Sequence, residues 1–250
     1  MCKKIFTVAK LNLKNIRVAY FVTGLIIAAL TIQDLVYFII ANATGSGANQ
    51  LNPSTSMYSW LLIMLAAIFI PAKNFRRTVN LGGKRDDFFW GSLMTYAILA
   101  GAISIFNTAW YYIIEQFLYS TGYYAGITAF FENPSILDNH YVTVNLIELF
   151  GWSSRGIFFA LIQQFAFLFM LGVIVHTLTA MQDKWYGWIT DIVIAGIISV
   201  FVPIAPLRSA LVWFFYMIIF SNAFVQIASC LILATAVYAL NKIIFARKII

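Results

Sequence analysis

Charged residues are scarce in this chain of 250 residues: they make up 10% of the sequence, whereas 62% of it is hydrophobic. The mean hydropathy is correspondingly high, at +0.86. About a quarter of a typical soluble domain is charged, so this shortage argues against a soluble enzyme. An apolar chain of this length is typical of an integral membrane protein, in which each helical span takes about 20 residues.

Residues for disulfide and metal chemistry are also few. The two cysteines, Cys2 and Cys230, lie at the N-terminus and deep in the last apolar run, so we expect two free thiols. The two histidines, His140 and His176, fall on opposite sides of the topology predicted below. There is no H-E-x-x-H, no paired carboxylates and no C-x-x-C, so the sequence predicts no metal site and no metalloprotease.

A phosphate-binding loop is missing as well. That loop requires G-x-x-x-x-G-K-[ST], and the nearest segment, TVNLGGKR, has Thr78 in place of the first glycine and Arg85 in place of the hydroxyl. We therefore expect no cofactor in this chain and no enzymatic activity of its own. Any energy source must be a partner or a gradient.

Long apolar runs, in contrast, are plentiful. Separated by polar or Gly/Pro segments, they predict an all-α membrane protein with six transmembrane helices in a single domain, 1–250. The predicted spans are 18–41, 57–72, 89–114, 156–180, 188–205 and 222–240.

The basic residues predict the orientation. An even number of spans places both termini on one side, and 14 of the 16 Lys and Arg residues then share that side, including Lys184, Arg247 and Lys248; only Arg155 and Arg208 fall opposite. By the positive-inside rule, both termini are cytoplasmic. Because the positive charge flanks apolar runs and does not gather on one exposed face, nucleic-acid binding is not expected.

The last apolar run, 210–240, is too long for one straight span, since 31 residues form a helix of about 46 Å. Two alternatives follow. Either Ser221 and Asn222 divide the run, with a re-entrant element at 210–220 before the last span, or the run is one long tilted helix. Pro203 and Pro206 are expected to end the fifth span and turn the chain.

The N-terminal segment KKIFTVAKLNLKNIRVAYF is basic and intermittently apolar. A helix there is predicted to lie along the inner membrane surface, with Ile5, Val8, Leu11 and Ile16 toward lipid. The alternative is a basic flank that only sets topology.

The loop 73–88 between the second and third spans carries five basic residues. Gly82 and Gly83 predict a break after a short helix at 74–81. Asp86 and Asp87 then stand where carboxylates favour the start of the next helix. Such a polar element is suited to docking on another protein, and the alternative is a solvated loop that only fixes topology.

With the opening KLNLKNIRVAYFVTGLI, the segment RRTVNLGGKRDDFFWGSL resembles the membrane subunits of bacterial ATP-binding-cassette transporters of the type-2 exporter class. The motif is short, with Gly83, Arg85, Asp87 and Phe88 as its members, and the likeness in architecture covers the whole chain. In that family a surface helix precedes six spans, and the loop after the second span couples to a separate ATPase.

The resemblance implies a multi-pass permease in the bacterial plasma membrane. Its expected partners are a cytosolic ATP-binding subunit, which would hold ATP and Mg, a second permease subunit of the same or a similar kind, and membrane lipid. The residues expected to couple to the ATPase are Arg76, Arg77, Gly82, Gly83, Lys84, Arg85, Asp86, Asp87 and Phe88.

The external segment 116–155 departs from the family pattern, because it is longer than usual and rich in aromatic residues. Within it, 135–150 is expected to form a half-buried helix or strand. The segment is either a lid or receptor for an amphipathic substrate, or an interfacial aromatic belt.

Polar residues inside the spans are candidates for a translocation path, because they tend to face the interior of a bundle. The uncharged candidates are Asn107, Gln163, Gln164, Asn222 and Gln226. Interhelical hydrogen bonding is their alternative role. Four ionisable residues fall nearer the ends of spans, where partial exposure is expected: Asp34, Glu115, His176 and Asp191.

The function predicted from these features is export of an amphipathic or hydrophobic substrate, such as an antimicrobial peptide, a drug or a lipid. Two other functions stay open. One is a stand-alone membrane carrier, and the other is a membrane-bound toxin-binding or immunity protein that moves nothing.

Overall fold

The computed structural model describes residues 2–44, 51–80, 82–122, 124–138, 140–182, 185–201 and 203–246. Lys184, Arg247 and Lys248, three of the residues used to predict the orientation, lie outside these ranges. Most of the described chain is helical. The longer helices are α1 (Cys2–Asn15), α2 (Arg17–Thr44), α3 (Trp60–Phe69), α5 (Arg85–Ala109), α9 (Ile157–Met181), α10 (Trp185–Phe201), α11 (Ala205–Ile219) and α12 (Ala223–Ala246).

Shorter elements connect these helices. They are the helices α4 (Phe75–Asn80), α6 (Gln116–Ser120), α7 (Ile127–Glu132) and α8 (Leu146–Leu149), and the strands β1 (Leu51–Pro53), β2 (Tyr124–Gly126) and β3 (Tyr141–Val144). The chain also forms 3₁₀ turns at Thr55–Ser59, Pro134–Asp138 and Ser153–Arg155, and π-helical turns at Ile70–Asn74 and Trp110–Glu115.

Five helical stretches of the described chain are long and apolar enough to cross a membrane, which is compatible with a multi-pass membrane protein. They are Arg17–Ile40, Thr55–Asn80, Arg85–Ser120, Ile157–Met181 and Ala223–Ile244. Each overlaps one of the predicted spans. The remaining predicted span, 188–205, overlaps α10, whose 17 residues give a length of about 25 Å. The count of six spans and the cytoplasmic placement of the termini stay predictions.

The last apolar run is divided between two helices, and a re-entrant element before the last span stays a prediction. Helix α11 ends at Ile219 and α12 begins at Ala223. Pro206 occupies the first turn of α11, where its missing N–H is no loss. Asn222 accepts a hydrogen bond from the Phe224 N–H at 3.4 Å, the arrangement of a helix N-cap.

The described chain forms two compact units. The first comprises Met1–Arg17, Ile63–Ala100 and Ala166–Ile250, and the second comprises Val18–Leu62 and Gly101–Phe165. In the first unit, the Ile63 side chain of α3 packs against Gly172 of α9. A Cβ added at Gly172 would lie 3.1 Å from that side chain. Helix α11 packs on α12.

The second unit contains a sheet, which the all-α prediction did not include. Its three short strands are parallel, in the order β1-β3-β2, with Leu51 paired to Val142 and Tyr124 paired to Tyr141. β3 lies in the stretch for which both helix and strand were open, and its sequence Tyr-Val-Thr-Val is of the β-branched and aromatic kind that favours strands. The rings of Tyr124 and Tyr141 stack, with centroids 5.4 Å apart.

Candidate coupling site and buried polar groups

The described residues of the predicted coupling loop, 73–80 and 82–88, include helix α4, a turn at Gly82 and Gly83, and the start of α5. Gly82 has a positive φ of 79°, a conformation that glycine adopts without strain. The Gly82 N–H donates to the Val79 carbonyl and the Gly83 N–H donates to the Thr78 carbonyl, both at 2.9 Å. This pair of bonds is the Schellman pattern that ends a helix, and it explains why the chain reverses here.

Gly83 is also fixed by close packing. A Cβ at this position would lie 2.7 Å from Thr78 Cγ2 and 2.8 Å from the Thr78 carbonyl oxygen. Carbon atoms in contact normally stay about 3.5–4.0 Å apart. The two glycines therefore serve the turn itself and offer no side chain to a partner.

Asp87 and Phe88 belong to the interior, although the sequence placed them with the coupling residues. The Asp87 carboxylate is buried and accepts the Lys84 N–H at 3.4 Å, so it helps to begin α5. Phe88 is fully buried, and its ring meets that of Phe75 edge-on at 5.3 Å. These residues hold the loop in shape, and Asp86 beside them is exposed.

The exposed surface of the loop is basic. Arg76, Arg77 and Lys84 are exposed, and Arg85 is half-buried. Arg77 Nη1 donates to Asn15 Oδ1 at 3.2 Å, which ties the loop to the end of α1. These cations and Asp86 are the predicted coupling residues whose side chains reach the surface of the loop, and their coupling to a partner stays a prediction.

Helix α1 braces the loop through asparagines. The buried Asn12 donates to Ser92 Oγ and Thr95 Oγ1 on α5, each at 3.4 Å. Its Oδ1 accepts from Asn74 Nδ2 at 3.1 Å, and Asn15 Nδ2 donates to Asn74 Oδ1 at 3.2 Å. Because buried polar groups are costly to leave unpaired, this network fixes how α1 and the loop lie together.

The prediction that Val8 and Ile16 face lipid is wrong. Both are buried, and Val8 fits against Gly91 of α5, where an added Cβ would lie 2.6 Å from Val8 Cγ1. The spacing of apolar residues indicated one buried face, and that face meets protein. Between α1 and the glycine turn lies a cavity of about 270 Å³, lined by Lys4, Thr7, Val8, Leu11, Thr78, Gly82, Gly83 and Asp87.

The predicted path residues lie in both units. Asn107 in the second unit is buried and accepts a hydrogen bond from Ser59 Oγ at 2.6 Å. Gln163 and Gln164, in the same unit, are buried, as is Gln226 in the first unit. Asn222 is exposed and caps α12. A translocation path through these residues stays a prediction.

The expected partial exposure of His176 and Glu115 is wrong, because both are buried. His176 Nδ1 lies 2.5 Å from the Tyr96 hydroxyl. In the same cluster Tyr238 stacks on Phe89 at 4.3 Å and donates to the Phe89 carbonyl at 2.6 Å. Asp34 and Asp191 are partly exposed, as expected.

A group of buried acidic residues in the second unit was missed by sequence reasoning. Glu115 accepts hydrogen bonds from Ser54 Oγ and from Asn145 Nδ2, the latter at 2.8 Å. Glu148 accepts from the Thr128 N–H at 3.1 Å and from the Thr128 hydroxyl. Only the fold brings these acidic residues together, since they are far apart in sequence.

The Tyr119 hydroxyl joins the two glutamates. Its oxygen lies 3.2 Å from Glu115 Oε2, 3.3 Å from Glu148 Oε2 and 2.7 Å from Thr143 Oγ1. A hydroxyl has one proton to donate, so it cannot satisfy both carboxylates at once.

Tyr124 supports the nearby Asp34. Burial, with smaller contributions from the Asp34 carboxylate and Tyr141, raises the pKa of Tyr124 to about 12. The phenol therefore stays neutral at physiological pH, and it donates to the Asp34 carbonyl at 3.2 Å.

Chemically, then, the first unit offers a braced basic surface and the second a buried acidic cluster. Among the described residues, no group of three or more His, Cys, Asp or Glu is arranged to hold a metal ion. The chain matches no family model, no curated protein and no solved structure.

Proposed function

We propose that this chain is the permease subunit of an ATP-binding-cassette transporter that exports an amphipathic or hydrophobic substrate across a bacterial plasma membrane. One observation carries the proposal: the loop 73–88 is a helix, a glycine turn and a second helix, with exposed arginines and a brace from α1. A loop that only fixed topology would need charge but no such order.

The brace supports a mechanical role for the loop. Asn12 and Asn15 connect α1 to the loop and to the first turns of α5. A push on Arg76 and its neighbours would therefore move α1 and the start of α5 together. ATP hydrolysis, with its Mg, belongs to the partner subunit, and this chain converts the push into a shift between two arrangements of its spans.

The proposed transporter contains a second permease subunit, identical or similar, and lipid covers the remaining apolar surface. Exposed apolar side chains along α2 and α10, such as Phe21, Leu35, Trp188 and Ile192, suit either contact. The alternatives of a stand-alone carrier and of an immunity protein predict no ATPase partner.

The test is co-purification from the native membrane in mild detergent. We expect a stoichiometric ATPase subunit with the unchanged chain, and its loss in Arg76→Glu, whose side chain is exposed. Arg208→Glu is the matched control, because it reverses one exposed arginine predicted on the other side of the membrane.

If no ATPase co-purifies with the unchanged chain, the proposal is contradicted, and a stand-alone carrier or an immunity protein is favoured. Equal loss in both variants would show a general effect of charge and contradict docking through the loop.

A further inference from the structure

The second unit contains a cavity of about 330 Å³, within the size range of small-molecule sites. Its wall is mostly apolar and includes the aromatic rings of Phe38, Trp110 and Phe117. A pocket that joins an apolar wall to a few polar groups is the usual form of a ligand site.

Two acidic residues, Asp34 and Glu115, line this cavity. They are held by consecutive residues: Thr55 Oγ1 donates to Asp34 Oδ2 at 2.5 Å, and Ser54 Oγ donates to Glu115. Because neighbouring Cα atoms are about 3.8 Å apart, the two carboxylates are positioned by one short stretch of backbone.

Neutral donors are their partners. Glu115 is 2% exposed, and its bonds come from hydroxyls and an amide. Among the described residues that line the cavity, none is Lys or Arg. Withdrawing a carboxylate from water without an opposite charge is costly, so the site favours a cation.

The whole second unit strengthens this preference. Its sequence contains five acidic residues, Asp34, Glu115, Glu132, Asp138 and Glu148, against one basic residue, Arg155, which gives a formal charge of −4. The full chain, in contrast, carries +7. A low-dielectric cleft with one sign of charge attracts ligands of the other sign.

We propose that this cavity binds an apolar cation, in which an ammonium or guanidinium group is joined to an apolar body. The cation would lie against Asp34 and Glu115, and the body against Trp110 and its apolar neighbours, where an aromatic face also attracts a cation. That this ligand is the exported substrate rests on the proposed function, whereas the binding itself does not.

Such a ligand has two sources, an amine-bearing lipid or a soluble amphipathic amine or peptide. Both present the same chemistry to the cavity.

The experiment measures quenching of tryptophan fluorescence in the purified chain, in nanodiscs of phosphatidylcholine, without any ATPase. The probes are ω-bromo-octylammonium and its neutral match, ω-bromo-octanol, and the part of the quenching lost in Trp110→Phe reports the cavity. We expect quenching by the ammonium probe to saturate at a concentration about tenfold or more below the concentration at which quenching by the alcohol probe saturates. The reason is that a hydrogen bond to a charged group is worth about 1.5–3 kcal/mol.

Asp34→Asn is expected to weaken binding of the ammonium probe about tenfold and to leave binding of the alcohol probe unchanged. An asparagine still accepts the Thr55 hydroxyl, and the unfolding temperature checks that the variant is folded. Glu132→Gln is the matched control, because it removes an exposed acidic charge from the same unit. Equal binding of both probes, or an equal effect of both variants, overturns the proposal.

Replacing part of the phosphatidylcholine with phosphatidylethanolamine separates the two sources. If phosphatidylethanolamine competes with the ammonium probe, the occupant is an amine-bearing lipid. If binding of the probe is unchanged, the occupant is a soluble amine. Each result is consistent with the proposal. Because no ATPase is present, failure here leaves the proposed function standing, and failure of co-purification leaves this site standing.

Discussion

Gly91→Ala tests whether α1 is held on α5 by close packing. An added Cβ would lie 2.6 Å from Val8 Cγ1 and 2.7 Å from Val8 Cβ, about an ångström too close. Overpacking of this kind costs about 1–3 kcal/mol. The helix-propensity gain from alanine acts on α5 whether or not α1 is docked, so it does not offset this cost. We therefore expect α1 docking to weaken by about 1–3 kcal/mol, a factor of about 5–150 in the undocked population.

The assay is amide hydrogen exchange of residues 2–15, followed by mass spectrometry. Exchange there should accelerate by the same factor of about 5–150. Gly101→Ala is the matched control on the same helix, because its added Cβ meets only Phe165 ring carbons at 4.0 Å. If α1 exchanges at the same rate in both variants, the close contact between α1 and α5 is refuted.

Two more substitutions test the buried polar contacts. Gly126→Ala directs a methyl group into the Glu148 carboxylate, so we expect faster thermolysin cleavage within 120–150, and an unchanged cleavage rate would contradict this packing. Tyr96→Phe removes the hydroxyl that bonds His176, and should cost about 1–3 kcal/mol, seen as a lower unfolding temperature. Tyr216→Phe, at an exposed site, should leave that temperature unchanged, and equal effects of the two would argue against the buried bond.

The long helices were predictable because a span in lipid requires a long apolar run, and such runs are visible without a fold. The break after α11 was readable from the polar pair Ser221 and Asn222. The surroundings of the apolar face of α1 could not be predicted. Periodicity shows that Val8 and Ile16 share one side of the helix, but it does not show whether that side contacts lipid or protein.

The candidate site was predictable only in outline. Gly82 and Asp86 indicated a turn and a helix start, and both are found there. The burial of Asp87 and Phe88 depends on packing that no local pattern encodes. Glu115 and Glu148 were missed as a pair because they are far apart in sequence. Their segments come together only when the strands pair.

The parallel pairing of β1 with β3 has a consequence for biogenesis. Leu51 can pair with Val142 only after Val142, 91 positions later in the chain, has been synthesised. At about 5–20 residues per second this takes about 5–18 s. Until then the Glu115 carboxylate lacks Asn145, and the cavity lacks Thr143. Emergence of residues 141–148 is therefore the late step that closes this acidic unit, so a chain stalled before it would present unpaired strands and carboxylates to quality-control proteases.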